Sequence, residues 1–281
     1  MNGPHQVIDP GDPRVEVFRD VRDRDLRGRE GLFMAESELV LRRLLATPHR
    51  LHSLLLSQGK FDQLEPMLSA LPDSVPVHVA SLDLLGDVAG FHVHRGVLAA
   101  GIRPEASDLE LDAALGHLRE TERCTLLLAE GITNVDNMGS LFRNAAALGV
   151  DGVVLDPSCC DPLYRKSIRV AMGHVFTVPW AELSSAPGAW EDALRRLRSE
   201  WECTLFAAEC GEGAIPAWDV PWPGRCGLLV GSEGDGVSKT ALAACDAMME
   251  IPMHGDVPSV NVASAAAICL YERMRSDQAR G

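Results

Sequence analysis

Long apolar runs are missing from this 281-residue chain. No stretch approaches the roughly 18 apolar residues that a membrane-spanning helix needs. Residues 1–16 also lack the basic and then apolar regions of a signal peptide. We therefore expect a cytoplasmic protein without a membrane partner.

Cysteine motifs are missing as well. The eight cysteines are scattered, with no C-x-x-C pair and no group of histidines at zinc-ligand spacing. We expect mostly reduced thiols that serve as small buried side chains, and no metal site. The adjacent pair Cys159 and Cys160 leaves a redox or metal-binding role open.

Positive charge is scarce. The chain has 26 Lys and Arg residues against 40 Asp and Glu residues, which gives a formal net charge of −14 and a pI near 5.0. Bulk charge therefore cannot drive nonspecific binding to nucleic acid, although a local basic surface stays open.

A phosphate-binding P-loop is also absent, although residues 231–240, GSEGDGVSKT, resemble one at first sight. The motif G-x-x-x-x-G-K-[ST] fails in both alignments. Matching Lys239 to its lysine places Ser238 and Glu233 where glycines belong, and matching the glycines places Val237 at the lysine. Since a glutamate also repels a polyanion, this loop must bind a different ligand.

Two α/β segments fill the chain, which is long enough for one large or two modest domains. Residues 1–104 alternate helix-like and strand-like pieces and predict a smaller α/β domain. Residues 105–121 carry several acidic side chains and predict a linker. Residues 122–281 predict a second, larger α/β domain.

The second domain is predicted to contain a mainly parallel sheet with helices on both faces. Its runs CTLLLAE, DGVVLD, CTLFAAE and CGLLVGSE predict strands that are apolar on both faces, and each precedes a turn and a helix-like segment. Ligands bind beyond the carboxyl ends of such strands. The segments after Glu130, Val230 and Ile251 are therefore the candidate ligand loops.

The first candidate loop, residues 130–150, places Asn137 near the start of an apolar helix and Arg143 about a turn and a half further on. A helix cap and a solvated surface residue would show the same pattern. The residues alone leave both interpretations open.

The second candidate loop, residues 228–238, has glycines directly after an apolar strand, which lets a ligand approach the backbone closely. An ordinary glycine-rich turn is the alternative. Glu233 argues against that alternative, because a carboxylate at the end of an interior strand needs a partner. Arg143 is the partner that we expect.

The third candidate loop, residues 251–274, passes two prolines before Ser259, Val260 and Asn261 and then enters an Ala-rich helix. Ser259 or Asn261 could simply cap that helix. A loop with two prolines is stiff, however, and a stiff loop suits ligand binding.

Together, the three loops resemble the three motifs of the SpoU (TrmH) branch of the SPOUT methyltransferases. The matching stretches are NVDNMGSLFRNAAALG, LLVGSEGDGVS and IPMHGDVPSVNVASAAAICLYE. FMAESELVLRRLL and HRGVLAAG are similar to the RNA substrate-binding domain that many members carry in front of the catalytic one. One departure is S-V-N-V-A in place of the family's usual S-L-N-V-S, which puts Ala263 where a serine is usual.

The resemblance implies methyl transfer from S-adenosyl-L-methionine to a ribose 2′-hydroxyl of structured RNA, with rRNA favoured over tRNA. A noncatalytic RNA-binding or ribosome-assembly protein on the same fold is the alternative, and a methyltransferase for a base or a small molecule is a third. The resemblance further implies a trefoil knot and a homodimer, and the reaction needs no metal.

The resemblance also assigns roles to individual residues. Arg143 would position the RNA and stabilise the alkoxide, Asn137 and Asn261 would orient the nucleotide, Glu233 would hold Arg143 or another group, and Ser259 would fix the loop. The cofactor pocket would be lined by Gly231, Ile251, Met253 and Val260. The RNA-binding candidates are Arg165, Lys166, Arg169, Arg29 and Arg95.

Overall fold

The computed structural model describes residues 4–21, 31–46, 50–93 and 95–278. The candidate RNA contact Arg29 lies outside these residues. The chain divides into two compact units: unit 1 contains Met1–Pro104 and Leu163–Phe176, and unit 2 contains Glu105–Pro162 and Thr177–Gly281. No helix of the described residues is both long and apolar enough to cross a membrane.

The strands and helices are numbered in chain order. The strands are β1 (His5–Gln6), β2 (Leu32–Glu36), β3 (Leu51–Ser57), β4 (Val77–Ala80), β5 (Val97–Ile102), β6 (Cys124–Ala129), β7 (Gly152–Leu155), β8 (Trp180–Glu182), β9 (Thr204–Ala208), β10 (Ile215–Pro216), β11 (Arg225–Val230) and β12 (Ala247–Glu250). The α-helices are α1 (Glu38–Leu44), α2 (Gln58–Leu68), α3 (Leu82–Ala89), α4 (Leu111–Leu115), α5 (Val135–Ala147), α6 (Arg165–Val170), α7 (Ala189–Ser199), α8 (Lys239–Ala244) and α9 (Val262–Gln278).

Unit 1 is built on a five-stranded mixed sheet in the order β1-β4-β3-β5-β2. Strands β1, β3 and β4 run parallel, and β5 runs antiparallel to both β3 and β2. The apolar run in β3 supplies Leu54, Leu55 and Leu56, which are fully buried. Ser57 is the last residue of β3 and Ser81 directly follows β4. Their side-chain oxygens cap α2 and α3, which explains why the chain turns into helices there.

The segment Leu163–Phe176 packs with unit 1, although the sequence analysis places it in the domain of residues 122–281. The Arg165 guanidinium lies 3.9 Å from the centre of the Phe91 ring and 3.2 Å from a carboxylate oxygen of Glu36. The ring of Phe176 stacks on Phe33 at 5.2 Å. These contacts join residues far apart in the chain, so local periodicity cannot reveal them.

Unit 2 contains the predicted parallel sheet. Its seven strands lie in the order β10-β12-β9-β11-β6-β7-β8, and every pair is parallel. Strand β11 lies at the centre of the sheet, between β9 and β6. Helices flank this sheet, as expected for strands that are apolar on both faces. The prediction of a mixed α/β fold is confirmed, and the trefoil knot implied by the resemblance stays a prediction.

The predicted linker, residues 105–121, is part of unit 2. It forms α4 between short 3₁₀ turns, and its side chains Leu111, Leu115 and Leu118 are buried in the core of that unit. This stretch was predicted to be a linker because acidic residues separate its three buried leucines in the sequence, and because α4 is too short to show a clear helical period.

Candidate functional site

The three candidate loops meet at the carboxyl edge of the unit 2 sheet, where the second and third loops line a cavity of about 780 Å³. The four cofactor candidates all contribute to its wall. So do three of the five catalytic candidates, whereas Asn137 and Arg143 do not. The predicted residues in the wall are Gly231, Ile251, Met253, Val260, Glu233, Ser259 and Asn261.

The first loop leads from β6 into α5, which begins at Val135. Asn134 caps this helix, because its side-chain oxygen accepts hydrogen bonds from the backbone N–H groups of Asp136 at 2.8 Å and Asn137 at 3.4 Å. Asn137 is therefore not the cap. It lies in the first turn of α5 and is only 7% exposed, so its amide is a buried polar group that needs partners.

Asn261 joins all three loops. Its amide nitrogen donates to the side-chain oxygen of Asn137 at 2.8 Å and to a carboxylate oxygen of Glu233 at 2.7 Å. Its side-chain oxygen accepts from the backbone N–H groups of Ala263 at 3.0 Å and Ser264 at 3.4 Å, and so caps α9. Both donor hydrogens of the amide are used, which makes Asn261 a structural junction as well as a helix cap.

The expected ion pair between Glu233 and Arg143 is absent, so that prediction is wrong. Glu233 is exposed and accepts from Asn261 instead. Arg143 is also exposed, and its side chain makes no hydrogen bond or ion pair with the described residues. It follows Asn137 by six residues, or about 600° of helix rotation, so the two side chains leave α5 in different directions.

The second loop folds back on itself. Ser232 and Gly236 exchange two backbone hydrogen bonds of 3.2 Å each. A side chain on Gly231 would place its Cβ 2.2 Å from the carbonyl carbon of Gly236. Glycine is therefore required at position 231 by the loop's own backbone, independently of any ligand.

Two carboxylates that the sequence analysis did not single out hold the returning part of this loop. Glu209 accepts a hydrogen bond from the backbone N–H of Val237 at 3.0 Å. Glu130 accepts from the backbone N–H of Ser238 at 2.9 Å and from its hydroxyl at 2.7 Å. The sequence does contain a signal for these two residues, because each glutamate is the first polar residue after the apolar part of a strand run, CTLLLAE or CTLFAAE.

The third loop begins one residue earlier than expected, because β12 ends at Glu250. Ala263, which replaces the usual serine, is only 6% exposed and uses its backbone on both sides. Its N–H donates to Asn261, and its carbonyl accepts from the side-chain amide of Asn144 at 2.7 Å. The second bond ties α9 to α5.

The thiols of Cys159 and Cys160 lie near the first loop and outside the cavity wall. Burial raises the pKa of Cys160 to about 11 and raises the pKa of Cys159 still further. Both thiols are therefore protonated at neutral pH. Among the described residues, no group of three or more His, Cys, Asp and Glu side chains has the geometry to hold a metal ion.

The described RNA-binding candidates, Arg165, Lys166, Arg169 and Arg95, belong to unit 1. Arg165 is half-buried and engaged with Glu36 and Phe91, so it stabilises unit 1. Lys166 and Arg169 on α6 are exposed, as is Arg95 in the turn before β5. Their contact with RNA stays a prediction.

Comparisons with known proteins agree with this architecture. The model of the SpoU rRNA Methylase family matches residues 125–271. An uncharacterized tRNA/rRNA methyltransferase of Mycobacterium bovis is 38% identical over 280 residues, which cover 96% of this chain and 91% of the relative. A 23S rRNA (guanosine-2′-O-)-methyltransferase, RlmB of Haemophilus ducreyi, is 28% identical over 84% of this chain and 94% of its own length.

A solved structure extends the agreement to three dimensions. The SpoU methyltransferase AviRb of Streptomyces viridochromogenes, in complex with the cofactor AdoMet, matches with a TM-score of 0.77 and 25% identity. The match covers 96% of this chain and all of the AviRb chain. With its family match, its relatives and its fold, this chain belongs to the SpoU rRNA methylase family.

Proposed function

We propose that this protein transfers the methyl group of S-adenosyl-L-methionine to a ribose 2′-hydroxyl of structured RNA. The observation that carries the proposal is the junction of Asn137, Asn261 and Glu233, which joins one residue from each family motif beside a single cavity. The sequence match alone would not require these three residues to meet.

The cavity fits the cofactor in size and chemistry. Its volume of about 780 Å³ falls within the range of about 300–1,000 Å³ that is usual for small-ligand pockets. Ile251, Met253 and Val260 offer apolar surface to a purine ring. Glu250 in the same wall offers negative charge to a cationic ligand. When bound, the cofactor supplies an activated methyl group on a positively charged sulfur, and AviRb binds the same cofactor on the same fold.

The residues around the cavity have separate tasks in this proposal. The side-chain nitrogen of Asn137 has no acceptor among the described residues, and we assign it to the nucleotide. Asn261 is saturated with bonds inside the protein, so it positions Ser259 and Val260 and does not contact the nucleotide.

Arg143 has the chemical task. A guanidinium stays protonated at neutral pH, so its exposed side chain suits an RNA phosphate and the negative charge that develops on the attacking 2′-oxygen. The 2′-hydroxyl must lose its proton as it attacks, and stabilising the oxygen lowers the barrier to that step.

Ribosomal RNA is the favoured substrate, with tRNA second. RlmB is named for 23S rRNA, and the mycobacterial relative is named for both RNA classes. Unit 1 supports a macromolecular substrate, because a free metabolite would not need it. With a net charge of −14, the protein must bind RNA through local contacts more than through bulk charge.

A homodimer in the cytoplasm completes the proposal. Large apolar side chains are exposed on α9 and in the loop before it, namely Ile268, Tyr271, Val257 and Val260. Exposed apolar surface of this kind suits contact with a second copy. Size-exclusion chromatography with light scattering would detect a dimer, and Tyr271→Glu would shift it toward monomer.

The test is incubation of the full chain with methyl-labelled S-adenosyl-L-methionine and total RNA, followed by nuclease mapping. We expect label as a 2′-O-methylated nucleoside in rRNA. Arg143→Ala should abolish transfer and leave cofactor affinity within about threefold, while Arg275→Ala, at an exposed arginine of α9, should retain activity. Label on a base, or bound cofactor without any transfer, would reject the proposal.

A further inference from the structure

The glycine loop, residues 231–238, follows the strand β11, and a glutamate directly follows each of the two strands beside β11. Strand β6 lies on one side and is followed by Glu130. Strand β9 lies on the other side and is followed by Glu209. Because the strands are parallel, both carboxylates reach the edge of the sheet at which the loop leaves β11.

The two carboxylates bind consecutive residues of the loop. Glu209 accepts the backbone N–H of Val237 at 3.0 Å, and Glu130 accepts the backbone N–H of Ser238 at 2.9 Å. Glu130 also accepts the Ser238 hydroxyl at 2.7 Å. Hydrogen bonds to a charged carboxylate are stronger than hydrogen bonds between neutral groups. The returning part of the loop is therefore held firmly, by one carboxylate on each side.

Gly236 leaves the space that Glu209 occupies. Its φ of +68° lies in the left-handed region, and a Cβ at this position would come 2.3 Å from the Glu209 carboxylate. Glu209 also lines the cavity, as Gly231, Ser232 and Gly236 do. Any change in the Glu209 contact would therefore move the cavity wall itself.

We propose that Glu130 and Glu209 are positioning residues that clamp the glycine loop in its cofactor-binding shape. This inference rests on the proposed function, because it names the residues that prepare the cavity for S-adenosyl-L-methionine. Neither carboxylate needs to touch a reacting atom. Each acts by fixing the backbone of Val237 or Ser238, and through it the wall of the cavity.

The clamp predicts different effects for two substitutions at position 209. Glutamine keeps a side-chain oxygen that can accept from Val237, whereas alanine removes it. We expect Glu209→Ala to raise the Kd and the KM for S-adenosyl-L-methionine at least about tenfold, with kcat at saturating cofactor changed less than about threefold. Glu209→Gln should stay within about threefold of the wild type. The increase in Kd for Glu130→Gln should lie between those of Glu209→Gln and Glu209→Ala, because both carboxylate oxygens of Glu130 accept hydrogen bonds.

A double-mutant cycle tests the contact from the other side. Gly236→Ala should weaken cofactor binding strongly in the wild-type background, because its methyl group meets Glu209. In the Glu209→Ala background that conflict is absent, so the additional loss should be at least about fivefold smaller. Glu212→Ala is the matched control, because Glu212 is an exposed glutamate of the next turn and does not line the cavity.

The experiment is isothermal titration of the full-length variants with S-adenosyl-L-methionine, combined with steady-state methyl transfer. Equal losses in Glu209→Ala and Glu209→Gln, or additive losses in the cycle, would overturn the clamp while wild-type methyl transfer stands. If Glu209→Ala does not fold, Glu209→Gln, Glu130→Gln and Gly236→Ala still decide the question. A wild-type chain that neither binds the cofactor nor transfers methyl would reject the proposed function itself.

Discussion

Replacing Asn261 by aspartate is the sharpest test of the junction between the three loops. The variant keeps the shape of the side chain and keeps the oxygen that caps α9. It removes the donor that reaches Asn137 at 2.8 Å and Glu233 at 2.7 Å. Two carboxylates and an amide oxygen then face one another.

The magnitude follows from these contacts. Losing the bond to Asn137 costs about 1 kcal/mol and losing the bond to the Glu233 carboxylate costs about 1.5–3 kcal/mol. Repulsion between the two carboxylates adds about 1 kcal/mol in an exposed site at about 4 Å. The total of about 3.5–5 kcal/mol is local, because the cap remains and the side chains can separate. We therefore expect kcat/KM to fall at least about 100-fold, while the melting temperature changes little.

The assay is methyl transfer by the wild type and Asn261→Asp between pH 5 and pH 8. Two adjacent carboxylates take up a proton more readily than one, and a protonated carboxyl group is a donor again. Activity of the variant relative to the wild type should therefore rise as the pH falls. Asn134→Asp is the control for the substitution, because Asn134 caps α5 through its oxygen and its amide nitrogen has no acceptor among the described residues. Full activity of Asn261→Asp at pH 8, or a loss that acid does not relieve, would refute the reasoning.

Three further predictions concern stability and the cavity. Burial lowers the pKa of His78 from 6.5 to about 4, so the folded protein keeps this imidazole neutral. As the pH falls from about 6.5 to 4, the unfolded chain binds the proton before the folded protein does, so up to about 3 kcal/mol of the free energy of unfolding should be lost. Denaturant titrations over this pH range should show a smaller loss for His78→Leu. Asp277→Asn should cost about 3 kcal/mol, because it removes the carboxylate that pairs with the buried Arg273 and with the more exposed Arg123. Glu272→Gln, in the more exposed pair with Arg275 on the same helix, should cost less than about 1 kcal/mol, and thermal unfolding separates the two. Gly231→Ala should lower cofactor affinity about 100-fold in titration calorimetry, because the loop must open by more than an ångström to admit the methyl group, and unchanged affinity would contradict the packing described for the loop.

The framework of unit 2 could be predicted from the sequence because its strands are apolar on both faces. CTLLLAE contains β6, CTLFAAE contains β9 and CGLLVGSE contains most of β11. The segments after β9 and β11 line the cavity, and the loop after β6 bonds to its wall through Asn137. Apolar runs of this length show where a buried parallel strand lies without any knowledge of its neighbours. The resemblance to the family motifs then indicated which of the following loops contain candidate catalytic and cofactor-binding residues.

Partners between distant residues could not be predicted in the same way. We expected Arg143 to hold Glu233, because an arginine is the usual partner of a carboxylate, whereas in the structure Glu233 accepts from the side-chain amide of Asn261. Asn137 was considered as a helix cap, but Asn134 does that work three residues earlier. In both cases the local sequence allows several polar partners, and only the packing of helices decides between them.

The path of the third loop explains why the site needs the whole of unit 2. Strand β12 is separated from β6 by β9 and β11, yet Asn261, which follows β12, bonds to Asn137 in the helix after β6. Residues 251–261 must therefore pass the carboxyl ends of both intervening strands. The bond from Asn144 to the carbonyl of Ala263 fixes the start of α9 against α5 where this passage ends. A small residue at position 263 allows that close approach, and Ala263 is buried in it. The contact between α5 and α9 thus fixes the third loop where it lines the cavity, which makes that contact as necessary for the site as the motif residues themselves.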